Sequence, residues 1–472
     1  MAENKFLQTR GDRLVTRGGE RVKLHGVGMG GWLNMENFIV GFPATEALNR
    51  RALREVLGPE LGQYFFDRFA DTFFTAADAA AIADVGFNVV RIPVHYRHLE
   101  DDATPLRLKE SGLARLDMAV EACARNGLYT IIDLHVLPGW QNNEWHCDNP
   151  THHAGFWGHP EFEDRVLNIW KTLAARYQGN PWVAGYEPMN EPGDPTGEHV
   201  ARFFPRLLST IRAVDPEHIL FLKGNAYGSE FAFYTDPMPN VVFIAFDYAI
   251  AGAAGATQYP GETKGVFYDP AALEQRYLEL TQQARRTNTP VWVGEFGPVY
   301  SGDDAIDEYR YRVLADQLAI YGRHDANWGI WTWKDINVQG VVHLDPTSPY
   351  MTAIQPVLAK KARLATDAWG HTDDAIRDVM APLEQRFAAE FPSHPNPQWW
   401  LNRLVRHILL AEPLVPEYAE SFRGLTREGI DEVMSSFDLA SCIRRDRLIE
   451  LVQAAIAADN PTARARTGSV IT

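Results

Sequence analysis

Eight short apolar segments between residues 22 and 333 most constrain how this chain can fold. Stretches with helical periodicity, such as DTFFTAADAAAIADVG and LARLDMAVEACARNG, lie between them. An alternation of strands and helices is typical of a parallel sheet covered by helices, and eight strands is the number that closes a barrel. We therefore predict an α/β protein with a (β/α)8 TIM barrel. The eight segments are VKLHGVG, FNVVRIPV, YTIIDLHV, WVAGYEPMN, HILFLKGN, VVFIAFDY, VWVGEF and WGIWTW.

The regions on either side of these segments have different patterns. The N-terminal stretch FLQTRGDRLVTRGGERVKL alternates apolar and polar residues, and Gly18-Gly19 is typical of a two-residue hairpin turn. Beyond about Thr366, helix formers at helical spacing dominate, convincing β runs are lacking, and no Ser/Gly-rich linker intervenes. We predict that residues 1–365 form the barrel with an N-terminal β-hairpin. Residues 366–472 are predicted to form an α-helical C-terminal extension packed on the barrel.

Composition and charge exclude several kinds of partner. The chain has 472 residues, of which 46% are hydrophobic and 22% charged, as in ordinary globular proteins. Its formal net charge of −16 disfavours nucleic acid and anionic membranes. The N-terminus lacks an apolar leader, no run is long enough to span a bilayer, and three cysteines (Cys123, Cys147 and Cys442) do not describe a disulfide framework. We expect a cytoplasmic protein with a neutral substrate.

Two glutamates close predicted barrel strands. Glu191 lies in Asn190-Glu191-Pro192 after the run WVAGYEPM, and Glu295 begins Glu295-Phe296-Gly297 after VWVG. The C-terminal ends of the strands form the rim where active sites of such barrels lie. A pair of carboxylates at this rim indicates glycoside hydrolysis, which with retention of configuration needs the carboxyl groups about 5 to 5.5 Å apart. The alternative is that both are ordinary solvated glutamates.

Other polar and aromatic residues are predicted to converge at the same rim. Arg91 is placed after strand two, His135 after strand three, Tyr248 after strand six and Trp331 in strand eight. The strings GFNVVRIPV, DLH, MNEP, VGEFG and WTWK occur in this order, each on its own strand, and are preceded by GVGMGGWLNMENF. Over roughly residues 10–360 this pattern resembles glycoside hydrolase family 5.

The resemblance implies a retaining enzyme with Glu191 as the general acid/base and Glu295 as the nucleophile. Glu191 must carry a proton to protonate the leaving oxygen, so we expect burial or the charge of Glu295 to raise its pKa. Glu295 must be ionised, and the permanently charged Arg91 together with the Tyr248 hydroxyl would keep it so. No cofactor is expected.

The same resemblance implies a set of substrate contacts. Asn190 would bind the 2-hydroxyl of the sugar, and Trp331 would stack on its ring. Trp145 belongs to the long loop LPGWQNNEWHCDNPTHHAGFWGHP, which we expect to form a wall of the sugar site. A zinc site from the His and Cys residues of this loop is conceivable, but their spacing matches no ligand template, and we expect no metal. The predicted substrate-binding residues are Arg91, His135, Asn190, Tyr248, Trp331, Trp32, Glu36, Asn37 and Trp145.

One position departs from the family pattern. Family members usually carry His, any residue and Tyr at the end of strand six, whereas this chain has Phe246-Asp247-Tyr248. Asp247 should point to the opposite face of the strand from its neighbours and would compensate only in part. The missing imidazole leaves open the alternative of a catalytically silent sugar-binding barrel.

The sequence thus predicts an O-glycosyl hydrolase that acts on soluble β-linked oligosaccharides or small β-glycosides. Long loops after strands three and six, together with the C-terminal extension, would close a cleft into a pocket that admits a chain end. We therefore expect an exo-acting β-glucosidase or exo-glucanase. The alternatives within the family are an endo-β-glucanase and a glycosidase acting on glycolipids.

Overall fold

The computed structural model of the chain describes residues 2–234, 238–248, 257–263, 265–367, 369, 372–394 and 400–459. Eight parallel strands close into one barrel, in which neighbours in sequence are neighbours in space and the last strand pairs with the first through Trp328 and His25. The predicted (β/α)8 TIM barrel is confirmed. The strands are β1 (His25–Gly28), β2 (Val89–His95), β3 (Tyr129–Val136), β4 (Val183–Glu187), β5 (Ile219–Leu222), β6 (Val241–Phe246), β7 (Val291–Glu295) and β8 (Asn327–Ile330).

Apolar side chains cover both faces of the barrel sheet. One buried cluster fills the barrel interior and includes Val89, Ile131, Phe221, Ile244 and Trp292. The residues that alternate with them point outward and pack beneath the helices, as expected for a barrel whose strands are buried on both sides. The helices are Glu46–Leu57, Pro59–Phe73, Ala76–Val85, Glu110–Arg125, Pro160–Tyr177, Glu198–Val214, Pro270–Leu280, Gln282–Thr287, Asp304–Arg323 and Pro349–Leu364, with single turns at Asn37–Val40, Tyr96–Leu99 and Asn225–Gly228.

Short antiparallel sheets lie outside the barrel, at the N-terminus and in loops. The N-terminal strands Leu7–Arg10, Arg13–Thr16 and Arg21–Val22 form a three-stranded sheet, in which the predicted turn at Gly18-Gly19 joins the last two. Two hairpins lie in loops, Glu100–Asp101 with Thr104–Leu108 and Gly261–Thr263 with Val266–Tyr268. Over the parts of the chain described above, no helix is both long and apolar enough to cross a bilayer.

The C-terminal extension is helical and packs against the barrel. Its last helix lies along Asp304–Arg323, and Asp459 at its end pairs with Lys23 at 2.7 Å and His25 at 2.8 Å. The expectation that the extension lacks strands was wrong at one place, because Cys442–Arg444 pairs antiparallel with Val342–Leu344. The extension elements are Arg377–Glu390, the π-helix Asn402–Leu409, Leu414–Glu420, Arg427–Met434 and Asp446–Asp459.

Candidate active site

A cavity of about 420 Å³ opens at the C-terminal ends of the barrel strands. Glu191, which follows β4, and Glu295, which ends β7, both line it. Part of its wall comes from the C-terminal extension, through Trp369, Asn402, Arg403 and His407. The barrel contributes Glu36, Phe38, His135, Glu144, Trp145, His146, Tyr227, Tyr248 and Trp331.

Arg91 organises the carboxylates beneath this cavity. It lies inside β2 instead of after it, and its side chain is fully buried. Its Nη1 donates to Glu295 Oε1 at 2.7 Å. Its Nε and Nη2 donate to the two carboxylate oxygens of Glu187, Oε2 at 2.6 Å and Oε1 at 2.9 Å. Nη2 also donates to Asn190 Oδ1 at 3.0 Å and lies 2.9 Å from Asp133 Oδ2. Burial disfavours the charge, but the surrounding carboxylates raise the pKa of Arg91 well above its usual value, so the guanidinium stays charged.

Both carboxylate oxygens of Glu295 have a fixed donor. Arg91 donates to Oε1, and the Tyr248 hydroxyl donates to Oε2 at 2.7 Å. Burial raises the pKa of Glu295 and the charge of Glu191 raises it further, whereas Arg91 lowers it. The charged Arg91 and the neutral Tyr248 hydroxyl hold the carboxylate in one orientation, which suits a group that attacks a fixed atom.

Glu191 sits between two basic side chains. Its backbone adopts φ of 40°, in the left-handed region, and Asn142 Nδ2 donates to its carbonyl at 2.8 Å. Its Oε2 lies 2.9 Å from His146 Nε2, and its Oε1 lies 4.0 Å from Lys223 Nζ. Burial raises the pKa of Glu191, but His146 and Lys223 outweigh this effect and lower it to about 2. The expectation of a raised pKa was therefore wrong, because two cations that no motif revealed lie beside the carboxylate.

A chain of hydrogen bonds fixes the protonation of His135, which lies within β3. Arg91 donates to Asn190 Oδ1, so the amide Nδ2 of Asn190 faces His135 Nε2 at 3.3 Å. Nε2 is then the acceptor, and Nδ1 donates to Asp133 Oδ2 at 2.7 Å. Burial lowers the pKa of His135 to about 3, which keeps the imidazole neutral.

Two further predicted residues, Trp331 and Glu36, line the cavity. Trp331 follows β8, and its ring stacks parallel to His135 with centroids 6.0 Å apart. The ring lies over the end of β1, where a Cβ on Gly28 would come within 2.6 Å of it, so a glycine is required there. Burial raises the pKa of Glu36 to about 8. Its neutral carboxylic acid both donates and accepts hydrogen bonds, which suits a sugar hydroxyl.

Four of the predicted substrate-binding residues do not line the cavity. Arg91 and Asn190 are fully buried beneath it, and Trp32 and Asn37 turn away from it. The Trp32 indole turns into the core, where its Nε1 donates to the carbonyl of Ala70 at 2.7 Å. Asn37 Nδ2 donates to Asp367 Oδ1 at 3.3 Å, which directs the amide towards the extension. Trp32 and Asn37 both lie in the segment after β1. The rule that side chains at strand ends face the rim does not predict the path of the chain in such a loop. Asp247 points away from the cavity, as expected, and accepts from Tyr321 at 2.9 Å.

Trp145 lines the cavity, and its neighbours in the same loop do not form a metal centre. Among the described residues, no group of three or more His, Cys, Asp or Glu side chains is arranged to hold a metal ion. His146 instead pairs with Glu191, and Cys147 is a buried free thiol.

Several residues of the site were not predicted from the sequence. Lys223 directly follows β5 and ends the run HILFLK, so a strand-end search that included lysine would have found it. The residues from the extension carry no motif, since amphipathic helices show which face is buried and not what covers it. The residues of the site that were not predicted individually are Lys223, Phe38, Glu144, His146, Tyr227, Trp369, Asn402, Arg403 and His407.

Comparison with known proteins agrees with this arrangement. The family model for cellulases of glycosyl hydrolase family 5 matches residues 63–337. A β-xylosidase of Phanerodontia chrysosporium is 43% identical over 467 residues, covering 94% of this chain and 96% of that protein. A probable glucan 1,3-β-glucosidase A of Aspergillus niger is 26% identical and covers 69% of this chain and 88% of that protein.

A solved structure shares the fold. The crystal structure of an endogalactoceramidase has a TM-score of 0.53 and 18% identity, and the match covers 70% of this chain and 75% of that one. At this identity the likeness concerns the barrel alone. The family model spans more than half of the chain, and the β-xylosidase aligns over nearly all of it. The chain therefore belongs to glycosyl hydrolase family 5, a family of retaining enzymes, and is an O-glycosyl hydrolase acting on β-glycosides.

Proposed function

We propose that this enzyme is exo-acting and releases single sugar units from the non-reducing end of short β-linked saccharides. The observation that carries the proposal is the contribution of the C-terminal extension to the wall of the catalytic cavity. Trp145 from the loop after β3 stacks on His407 of the extension, with ring centroids 3.8 Å apart. A wall of this kind blocks a cleft through which a polymer would pass, and a pocket admits a chain end.

The proposed sugar is a β-linked xylose, with glucose as the second candidate. The similarity to a β-xylosidase, at 43% identity over nearly the whole chain, favours xylosides. The similarity to a protein named as a glucan 1,3-β-glucosidase supports glucosides at lower identity. Neutral Glu36 and His135, which line the cavity, supply hydrogen-bonding groups for a pyranose, and Trp331 supplies a flat apolar face.

In the proposed mechanism Glu295 attacks the anomeric carbon as the leaving oxygen departs. An ester bond forms between Glu295 and the sugar while the glycosidic bond breaks, and the leaving oxygen takes a proton from Glu191. Water then attacks the glycosyl-enzyme, and Glu191 accepts its proton as the ester breaks. His146 Nε2 lies 2.9 Å from Glu191 Oε2, so a proton that passes from the imidazolium to the carboxylate gives the acid form of Glu191.

A panel of 4-nitrophenyl β-glycosides and defined β-1,4-xylo- and cello-oligosaccharides tests this function. We expect 4-nitrophenyl β-xyloside to give the highest kcat/KM, xylose to be the first product from xylotetraose, and a soluble β-glucan to lose little viscosity. Early formation of oligosaccharides with rapid loss of viscosity would indicate an endo-β-glucanase. Sugar binding by calorimetry without hydrolysis of any substrate would indicate a silent barrel. Glu295→Gln serves as the inactive control.

A further inference from the structure

Lys223 is a buried cation beside the catalytic carboxylates that the mechanism above does not use. It follows β5, and only 1% of the residue is exposed. Its Nζ lies 4.0 Å from Glu191 Oε1, and among the described residues it has no hydrogen-bond acceptor. A buried ammonium without a hydrogen bond is costly, so the surrounding charges must stabilise it.

The ammonium group of Lys223 lies against the aromatic ring of Phe246. Lys223 Nζ lies over the face of Phe246, where the negative face of the ring attracts a cation. Arg91 lies over the same ring, with Cζ 5.3 Å from the centroid. Phe246 has no hydrogen-bonding group. The positive charges over its ring belong to Lys223, which follows β5, and to Arg91 in β2.

Charged and titratable groups surround Lys223 and Glu191 from β2, β3, β4 and β7 and from the adjoining loops. Tyr227 and Cys147 also face Glu191, and burial raises the pKa of both, so they are neutral at pH 7. Lys223 is not among the residues that line the cavity. It lies behind Glu191 and acts on the reaction through that carboxylate. The surrounding charged and titratable groups are Glu36, Arg91, Asp133, His135, His146, Glu187, Tyr248 and Glu295.

We propose that Lys223 is a positioning residue for hydrolysis. Its ammonium group, which lies against the ring of Phe246, holds Glu191 in place and favours the charged form of both Glu191 and Glu295. This inference rests on the roles proposed above for the two glutamates. His146 holds one oxygen of Glu191 and Lys223 faces the other, so the carboxylate lies between two cations.

The proposal has a direct consequence for the pH dependence. Burial lowers the pKa of Lys223 to about 8, although the neighbouring carboxylates oppose this effect, so the amine is charged at pH 7. The charge of Lys223 lowers the pKa of both Glu191 and Glu295. Removal of that charge raises the pKa of the acid and of the nucleophile together. Both limbs of the pH profile therefore move to higher pH.

The test compares kcat/KM profiles for 4-nitrophenyl β-xyloside between pH 4 and 10. We expect Lys223→Met to move both limbs upward by about one pH unit. Lys223→Arg, which keeps the charge, should retain the wild-type profile below about pH 8, where Lys223 itself is charged. The matched control is Lys334→Met, which removes another fully buried lysine that pairs with Asp78 at 2.8 Å, away from the cavity. It should lower the melting temperature without moving either limb.

A second measurement does not depend on turnover. Carbon-13 NMR of protein labelled at glutamate Cδ, with Glu191→Gln to assign the signal, gives the pKa of Glu191 directly. An increase in Lys223→Met supports the proposal. Unchanged limbs and an unchanged Glu191 titration in a folded Lys223→Met protein would overturn it. If no β-glycoside is hydrolysed the proposed function fails, while the NMR titration still decides the role of Lys223.

Discussion

Trp145 and His407, which are far apart in the chain, stack face to face with their ring centroids 3.8 Å apart and their planes inclined by 14°. Trp145 belongs to the loop after β3 and His407 to the π-helix of the C-terminal extension. Both rings line the catalytic cavity. This contact joins the extension to the barrel at the cavity that Glu191 and Glu295 also line.

Removal of this contact should widen the site. In Trp145→Ala and His407→Ala, the loss of a stacked pair worth about 1 kcal/mol opens the wall, so longer chains gain access. We expect the ratio of kcat/KM for xylohexaose to that for xylobiose to rise about five-fold, as measured by product chromatography. Phe391→Ala, which removes an exposed aromatic ring elsewhere in the extension, is the control. An unchanged ratio would show that the contact does not limit chain length.

The two glutamates should respond differently to substitution. Glu295→Gln removes the nucleophile, so kcat should fall by about four to six orders of magnitude. Glu191→Ala loses acid catalysis but should keep part of its activity on aryl glycosides, whose leaving group needs little protonation. Added azide should restore turnover of Glu191→Ala and yield a β-glycosyl azide, detectable by NMR. Near wild-type rates in both variants would refute the assignment.

The separation of the two carboxyl groups should match a double displacement. We expect about 5 to 5.5 Å between them, in a crystal structure of the enzyme with a bound sugar. The corresponding solution measurement is proton NMR of the reaction at early times, in which the first sugar released should be the β-anomer. An α-anomer, or a separation above about 6.5 Å, would indicate inversion.

Glu36 should lower the stability of the wild-type protein at neutral pH. Its pKa is about 8 in the folded protein against an ordinary value near 4.5, so the unfolded chain loses this proton first as pH rises. The free energy of unfolding therefore falls between pH 4.5 and 8 because of this group. Glutamine at position 36 has no proton to lose, so Glu36→Gln removes this decrease in the free energy of unfolding. The variant should be more stable than the wild type by about 1–3 kcal/mol at pH 7, and by much less at pH 4. Urea unfolding at both pH values measures this difference, and equal effects would contradict it.

The sequence by itself determined the barrel and the position of two glutamates at its rim. The spacing of apolar residues in strands and helices depends on residues close together in the chain. Glu191 and Glu295 lie at the C-terminal ends of apolar strands, and in a barrel these ends meet at one rim. The positions of His135, Tyr248 and Trp331 at the cavity follow from the same rule. Trp32 and Asn37 lie in a loop, where no period fixes the direction of a side chain, and the structure places them elsewhere.

Only the tertiary structure decided the electrostatics and the closure of the site. Glu191 is flanked by His146 and Lys223, which come from a loop and from a different strand, so the depressed pKa of Glu191 cannot be read from local sequence. The helical pattern after residue 366 indicates a buried face but not its partner, and packing places His407 over the rim. Such contacts join segments distant in the chain and depend on how the whole barrel and its extension bury their apolar surfaces.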